Sequence, residues 1–270
     1  MIATLRSFFR ENWLWRSQIW SLAVTEIQKQ VRGAAFGWLW IFATPTIYVL
    51  VFAFALSTGI RGSSGPVNGV PFLVWLTVGL IPWFFMSDML VGGSNVYRRY
   101  PYLVNRLRFP IPVISSFFAM AHFIIFLMIL LIVFVVMAVM RWPLTIYAIQ
   151  LPFLALVMYF FWTIWSMMAS PLAAISKDFH NLIRALTTPL FWLSGIIFNI
   201  SNVKQEWLRW ILSFNPVTFF ATSFRATLCD GYWIWSEPRL IYPFLGVFLV
   251  MFILAIRIQH RLGTEVADVL

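Results

Sequence analysis

Six stretches of the chain carry almost unbroken apolar side chains, at 36–57, 72–91, 113–140, 144–175, 182–200 and 240–256. A hydrocarbon layer of about 30 Å is crossed by about 20 apolar residues in a helix. Inside that layer every backbone donor and acceptor must be satisfied within the segment, which a helix achieves. The pattern predicts an all-α membrane protein with six transmembrane helices. The third and fourth stretches exceed the minimum and must tilt, kink or project beyond the bilayer, with Pro152 and Pro171 as kink points in the fourth.

Ahead of the first span the period changes. Leu5, Phe8, Phe9, Trp13, Trp20, Val24, Ile27 and Val31 recur three or four positions apart in the main, with Arg6, Arg10, Glu11, Arg16, Glu26 and Lys29 between them. This predicts an N-terminal amphipathic interface helix over 1–32, lying along the membrane surface. A soluble amphipathic helix packed on another domain is the competing reading. Residues 33–270 then form the six-helix transmembrane domain, and the chain is a single domain overall. Between the last two spans, 210–224 is apolar but short, interrupted by Asn215-Pro216 and bounded by Arg209 and Arg225. Proline removes a backbone donor, so short re-entrant helices on the outer side before the last span are expected. A seventh span is the alternative, and it would place the C-terminus outside.

Composition adds the solvent and the orientation. The 270 residues are 61% hydrophobic and 10% charged, with a mean hydropathy of +0.86, outside the range of soluble domains. The net charge of +10 does not indicate nucleic acid as a partner, because the long apolar runs leave little wet surface for it. Cytoplasmic enrichment of Lys and Arg accounts for it. With the N-terminus inside, Arg6, Arg10, Arg16, Lys29, Arg32, Arg98, Arg99, Arg106, Arg108, Lys177, Arg184, Arg257 and Arg261 fall on the cytoplasmic side. Only Arg61, Arg141, Lys204, Arg209, Arg225 and Arg239 fall opposite, which makes both termini cytoplasmic. The charged first 32 residues lack the pattern of a cleavable signal, so insertion through the first span is expected. With one cysteine, Cys229, no intramolecular disulfide can form.

Little in the chain suggests catalysis. No glycine-rich loop ahead of Lys-Ser/Thr could cradle a nucleotide's phosphates, and His122, His180 and His260 are too scattered for a metal motif. Neither a catalytic residue, a metal nor a cofactor is expected. Asp88 is the one acidic residue within a span, where an ionised side chain costs about 3 kcal/mol on insertion scales. It therefore needs a partner or water, either as an ordinary ion pair or in a transport pathway, and His122 in the third span poses the same choice. Tyr159, Trp162 and Trp165 belong to a mid-span aromatic cluster and are the other pathway candidates. Bundle packing is the plainer account of any one of them. Between spans two and three, Arg98, Arg99, Tyr100, Tyr102, Arg106 and Arg108 form a basic, aromatic segment. It either fixes topology by charge or docks in a cleft of a soluble partner.

Specific motifs narrow this. The runs Gly59-Ile60-Arg61, Gly65-Pro66-Val67-Asn68-Gly69-Val70-Pro71-Phe72, Gly79-Leu80-Ile81-Pro82-Trp83-Phe84-Phe85, Gly93-Ser94-Asn95-Val96-Tyr97 and Arg108-Phe109-Pro110 resemble the permease subunits of teichoic acid ABC exporters. Those belong to a wider family of polysaccharide and polyol phosphate ABC export permeases. Gly37 with Leu39-Trp40, Pro45, Lys177-Asp178 and Asn215-Pro216 extend the resemblance over nearly the whole chain. Phe36-Gly37 replaces the usual Leu-Gly, and Lys177-Asp178 the common Arg-Asp.

The resemblance implies a non-catalytic, multi-pass permease of the bacterial cytoplasmic membrane, working as a homodimer. Each copy would rest on an ABC ATP-binding subunit that binds and hydrolyses ATP. It implies docking of Arg98, Arg99, Tyr100, Tyr102, Arg106 and Arg108 on that subunit. The cargo would be a polyprenyl-diphosphate-linked teichoic acid, its headgroup met by Lys29, Arg32, Phe36 and Gly37 beside the surrounding membrane lipids. Export of another lipid-linked polysaccharide, such as O-antigen or capsule, is the near alternative. A proton-coupled carrier, or a membrane enzyme acting on polyprenyl phosphate, would need more acidic or histidine residues than the chain carries.

Overall fold

The computed structural model describes residues 10–60, 65–105 and 109–262. Among them the regular structure is helical, apart from one isolated antiparallel bridge between Val67 and Val70. Helix α1 is Arg16–Val31, α2 is Leu39–Ala55 and α3 is Phe72–Ser94. Two short turns follow, α4 (Val96–Arg99) and α5 (Pro101–Val104). Then come α6 (Ile111–Val139), α7 (Leu151–Ile175) and α8 (Lys177–Trp192). The short helices α9 (Glu206–Ser213) and α10 (Pro216–Arg225) precede α11 (Pro238–Leu262).

Five helical segments are long and apolar enough to cross a membrane: Leu39–Thr58, Phe72–Ser94, Ile111–Val139, Ile146–Ile175 and Pro238–Leu262. They coincide with five of the six apolar stretches. The stretch at 182–200 differs. Its helix, α8, starts earlier, at Lys177, and stops after 16 residues at Trp192. The polar first half, with Lys177, Asp178, His180 and Arg184, dilutes its apolar character, and Pro189 in the last turn closes it. Pro152 is not a kink point either, because it falls in the first turn of α7, where no intrahelical bond is lost. Pro171 does lie inside the helix.

The core is organised around α3, whose apolar window is 78% buried, against 17% for the first span and 22% for the last. It packs against α6, α7, α8, α10 and α2. Small residues let it do so. A side chain at Gly92 would come within 2.7 Å of the Phe118 ring, and the hydroxyls of Ser166 and Ser170 donate to the Gly93 carbonyl at 2.8 and 2.6 Å. Close approach and interhelical hydrogen bonds hold membrane helices together where lipid is as apolar as the side chains. By contrast α2 leaves Ile47, Leu50, Val51 and Phe54 exposed.

Helix α1 packs on α6 through a stripe spaced four apart, Ile19, Ala23 and Ile27. Ala23 and Ile27 meet Ala121, with Met120, Ile124 and Ile125 around them. Trp13, Leu14 and Trp20 stay exposed on another face. Glu26, which the period places among the polar positions, is instead only 1% exposed. One connected core runs from Ile19 in α1 to Met251 in α11.

The break at Asn215-Pro216 is as the composition requires. The Asn215 side chain accepts from the Val217 amide at 3.0 Å and so starts α10. At eight and ten residues, α9 and α10 rise about 12 and 15 Å and are too short to cross. Beyond them a buried amide clasps the loop before α11: Gln150 donates to the Tyr232 carbonyl at 3.1 Å and accepts from the Ile234 amide at 3.0 Å. Gln150→Leu leaves both backbone groups unpaired. It is expected to cost about 1–3 kcal/mol, read as a lowered melting temperature in detergent with the helix content unchanged.

Candidate functional site

The segment after α3 is tied to the rest of the protein at both ends. On one side the buried carboxylate of Glu26 forms an ion pair with Arg99 at 2.6 Å and with Lys29 at 3.6 Å. The Tyr100 hydroxyl donates to the same carboxylate. Burial first, and the neighbouring Glu26 second, raise the Tyr100 phenol above its ordinary value, so it remains a donor. The Arg99 guanidinium also lies 5.6 Å from the Phe118 ring. On the other side Gln259, near the end of α11, donates to the Tyr97 hydroxyl at 2.7 Å and to the Met167 carbonyl at 2.8 Å. Burial pushes Tyr97 up to about 12. Trp15 meets Phe109 edge to face at 5.1 Å. The described parts of this elbow are therefore held against α1, α7 and α11.

This sorts the six residues expected to dock on a partner. Arg99 and Tyr100 are engaged within the chain, the tyrosine buried. Tyr102 is exposed and Arg98 half-buried. Arg106 and Arg108 lie outside the described residues.

Of the four residues expected at the lipid headgroup, Lys29 sits in the last turn of α1, and Arg32, Phe36 and Gly37 on the link from α1 to α2. Lys29 is half-exposed, and Arg32 and Phe36 are exposed. Gly37 has a φ of +48°, a left-handed conformation that glycine adopts without strain. Phe36 packs edge to face on Trp40 at 6.0 Å. Beside them a cleft of about 250 Å³ opens between α1, α2, α3 and α6, lined among others by Gln30, Trp40, Thr44, Phe84, Asp88 and His122. Within it the carboxylate of Asp88 meets Nδ1 of His122 at 3.1 Å. Both residues stood out in the sequence, but their pairing did not, since 34 positions separate them. The available signal was that one antiparallel pair of spans carries a lone carboxylate and a lone imidazole.

The aromatic candidates divide. Trp162 and Trp165 line a second cleft of about 600 Å³, almost wholly apolar, with Leu90, Leu190, Pro216 and Val250 on its other walls. Tyr159 is not part of it and packs on Phe123 at 5.1 Å, facing α6.

The end of α10 holds a residue that sequence reasoning missed. Arg225, placed only as an outer-side charge, is buried. It donates to the carbonyls of Trp75 (3.1 Å), Gly195 (2.7 Å) and Ile196. Its guanidinium lies 3.4 Å from the centre of the Trp75 ring. Only a residue without a side chain fits beneath it, since a Cβ on Gly79 would lie 2.1 Å from the guanidinium. The arginine thus caps the carbonyls freed where the chain leaves α8. Non-helical backbone at membrane depth is tolerated where protein satisfies it in this way.

Comparison with known proteins gives one family and a consistent set of relatives. Residues 17–229 match the family model described as ABC-2 type transporter. The chain is 25% identical over 243 residues to the O-antigen export system permease protein RfbA of Myxococcus xanthus, covering 89% of this chain and 91% of that protein. It is 19% identical over 248 residues to an O-antigen export system permease protein RfbA of Klebsiella pneumoniae, covering 91% and 92% respectively.

Proposed function

The chain belongs to the ABC-2 type transporter family, and from that premise we propose that it is the membrane-spanning permease subunit of an exporter for a lipid-linked surface polysaccharide. The observation that carries this reading is the similarity to O-antigen export permeases over about nine-tenths of both lengths. ATP is hydrolysed by a separate subunit, and this chain performs no chemistry of its own. A teichoic acid is the second reading for the cargo, favoured by the run from Gly59 to Pro110. In both cases a diphosphate joins the polymer to a polyprenol, and Lys29 and Arg32 supply the positive charge that attracts it.

The topology that serves this function has six spans with both termini in the cytoplasm. The sixth is α8 together with the irregular segment that follows it. Sixteen helical residues rise about 24 Å, and the turn at 193–199, capped by Arg225, completes the crossing to the outer side. There α9 and α10 re-enter. Two copies of the permease pair, the uncovered faces of α2 and its neighbours meeting lipid or the second copy. The elbow, clamped to α1, α7 and α11, transmits the closing of the ATP-binding subunits to three helices at once.

Co-expression with the ATP-binding subunit tests this. The two are expected to co-purify, and Tyr102→Ala combined with Arg98→Ala to reduce recovery of the partner about tenfold, as loss of an aromatic and an arginine anchor does. A permease that exports its cargo unaccompanied overturns the assignment.

A further inference from the structure

The Asp88–His122 pair has no part in the mechanism above, and it sits in a cleft that already contains the features of a ligand site. We propose that this cleft binds the first sugar ring of the lipid-linked cargo, the one next to the diphosphate. This rests on the function proposed above and specifies which part of the substrate is recognised.

Three observations carry it. First, the pair is oriented. The Nδ1 of His122 faces the Asp88 carboxylate at 3.1 Å, so Nδ1–H donates to the carboxylate, and in the neutral ring Nε2 is then the acceptor. Second, that acceptor is unmet: His122 is 7% exposed, and its Nε2 is covered and without a hydrogen-bond partner. A buried polar atom without a partner is disfavoured, and a small turn of the His122 ring at the cleft wall brings it to a sugar hydroxyl that satisfies it. Asp88 itself is 52% exposed and presents its remaining lone pairs to the same space. Two neighbouring acceptors match the adjacent hydroxyl donors of a sugar ring. They do not match a phosphate, which the carboxylate repels. Third, the walls suit a ring with one apolar face. Trp40 and Phe84 supply flat surfaces, and Gln30 and Thr44 supply further polar groups.

Position links the cleft to the headgroup residues. Gln30 and Val31 line it, and Lys29 and Arg32 flank those two in the chain. A diphosphate held by these cations at the end of α1 therefore leaves the attached ring beside Asp88. In this arrangement the cations read the anion common to all such lipids, and the Asp88–His122 cleft reads the sugar.

The test uses the full permease with its ATP-binding subunit in detergent and two probes: farnesyl diphosphate, and farnesyl diphosphate carrying one hexose. Binding is followed by tryptophan fluorescence. The wild type is expected to bind the sugar-bearing probe about tenfold more tightly. Asp88→Ala and His122→Phe are expected to abolish that preference while leaving the affinity for farnesyl diphosphate unchanged. Lys29→Ala with Arg32→Ala is expected to weaken both probes alike. Asp88→Asn, which keeps the shape and one acceptor, gives a folded control and an intermediate preference. Equal binding of both probes by the wild type, or an undiminished preference in the Asp88 and His122 variants, overturns the sugar site and leaves the exporter reading standing. Binding of neither probe overturns the lipid-linked cargo, and the sugar site with it.

Discussion

Arg225→Met is expected to lose most of the folded permease, with a melting temperature in detergent lowered by at least about 6 °C or with no recoverable protein. The substitution keeps the length and apolar bulk of the side chain but leaves the carbonyls of Gly195 and Ile196 without donors, and the Trp75 carbonyl with its helical bond alone. Each orphaned buried carbonyl costs about 1–3 kcal/mol, out of a typical total stability of about 5–15 kcal/mol. A loss of a few kcal/mol in a chain of this size displaces melting by about 2–4 °C per kcal/mol. Arg225→Lys should fall between the two, because an ammonium is a point donor that cannot reach three carbonyls while stacking on Trp75. Gly79→Ala should resemble Arg225→Met, since its methyl would occupy the guanidinium's place. The double substitution should cost less than the sum, as expected for residues in one contact. Melting of Arg225→Met indistinguishable from wild type removes the arginine from its capping role.

Glu26→Leu is expected to uncouple ATP hydrolysis from export rather than simply unfold the protein. Glu26 is the point at which α1 holds the elbow: it pairs with Arg99 and Lys29 and accepts from Tyr100. Removing it frees two cations that are 45% and 47% exposed and can return to water. The stability cost therefore lies below the about 3–5 kcal/mol seen when a fully buried pair is broken. The mechanical consequence is larger, because among the described residues α1 then follows the elbow through the Trp15–Phe109 and Lys29–Tyr100 contacts without an ion pair. Complexes reconstituted in vesicles should hydrolyse ATP at near the wild-type rate and export about tenfold less cargo. A cycle combining Glu26→Leu with Arg99→Leu should be strongly non-additive. Unchanged export per ATP dismisses the clamp. The Tyr100 phenol is raised in the folded protein above its ordinary 10.0. Its contribution to stability is complete at neutral pH and is lost as pH rises above 10, the unfolded state releasing its proton first. Tyr100→Phe should remove that alkaline loss.

Much of the architecture could be read along the chain because solvent alone determines it. Five apolar stretches became helices at the expected positions, since a chain in lipid has few other ways to satisfy its backbone. The break at Asn215-Pro216 was equally local, depending on one missing donor and one capping amide. The stretch at 182–200 departs from one continuous helix for a local reason too: its helix ends at Trp192, and the apolar residues beyond it belong to an irregular segment. The functional residues fared differently. Sequence placed Arg98, Arg99, Tyr100 and Tyr102 in one basic segment, but only the fold engages Arg99 and Tyr100 with Glu26 and leaves Tyr102 exposed. It marked Tyr159, Trp162 and Trp165 as equivalent, and only the packing put the tryptophans on one cleft and the tyrosine against α6.

The sequence by itself determined that the protein lives in lipid, how many apolar segments it has, where they break and which end of each carries the positive charge. These follow from transfer free energies that act residue by residue. Only the tertiary structure decided which charges are spent inside the protein. Glu26 with Arg99, Asp88 with His122, and Arg225 with three carbonyls and the hollow over Gly79 each join positions 29 to 150 residues apart. A buried charge is tolerated only beside its partner, and which partner it meets depends on how the helices pack, a property that hydropathy along one chain does not carry.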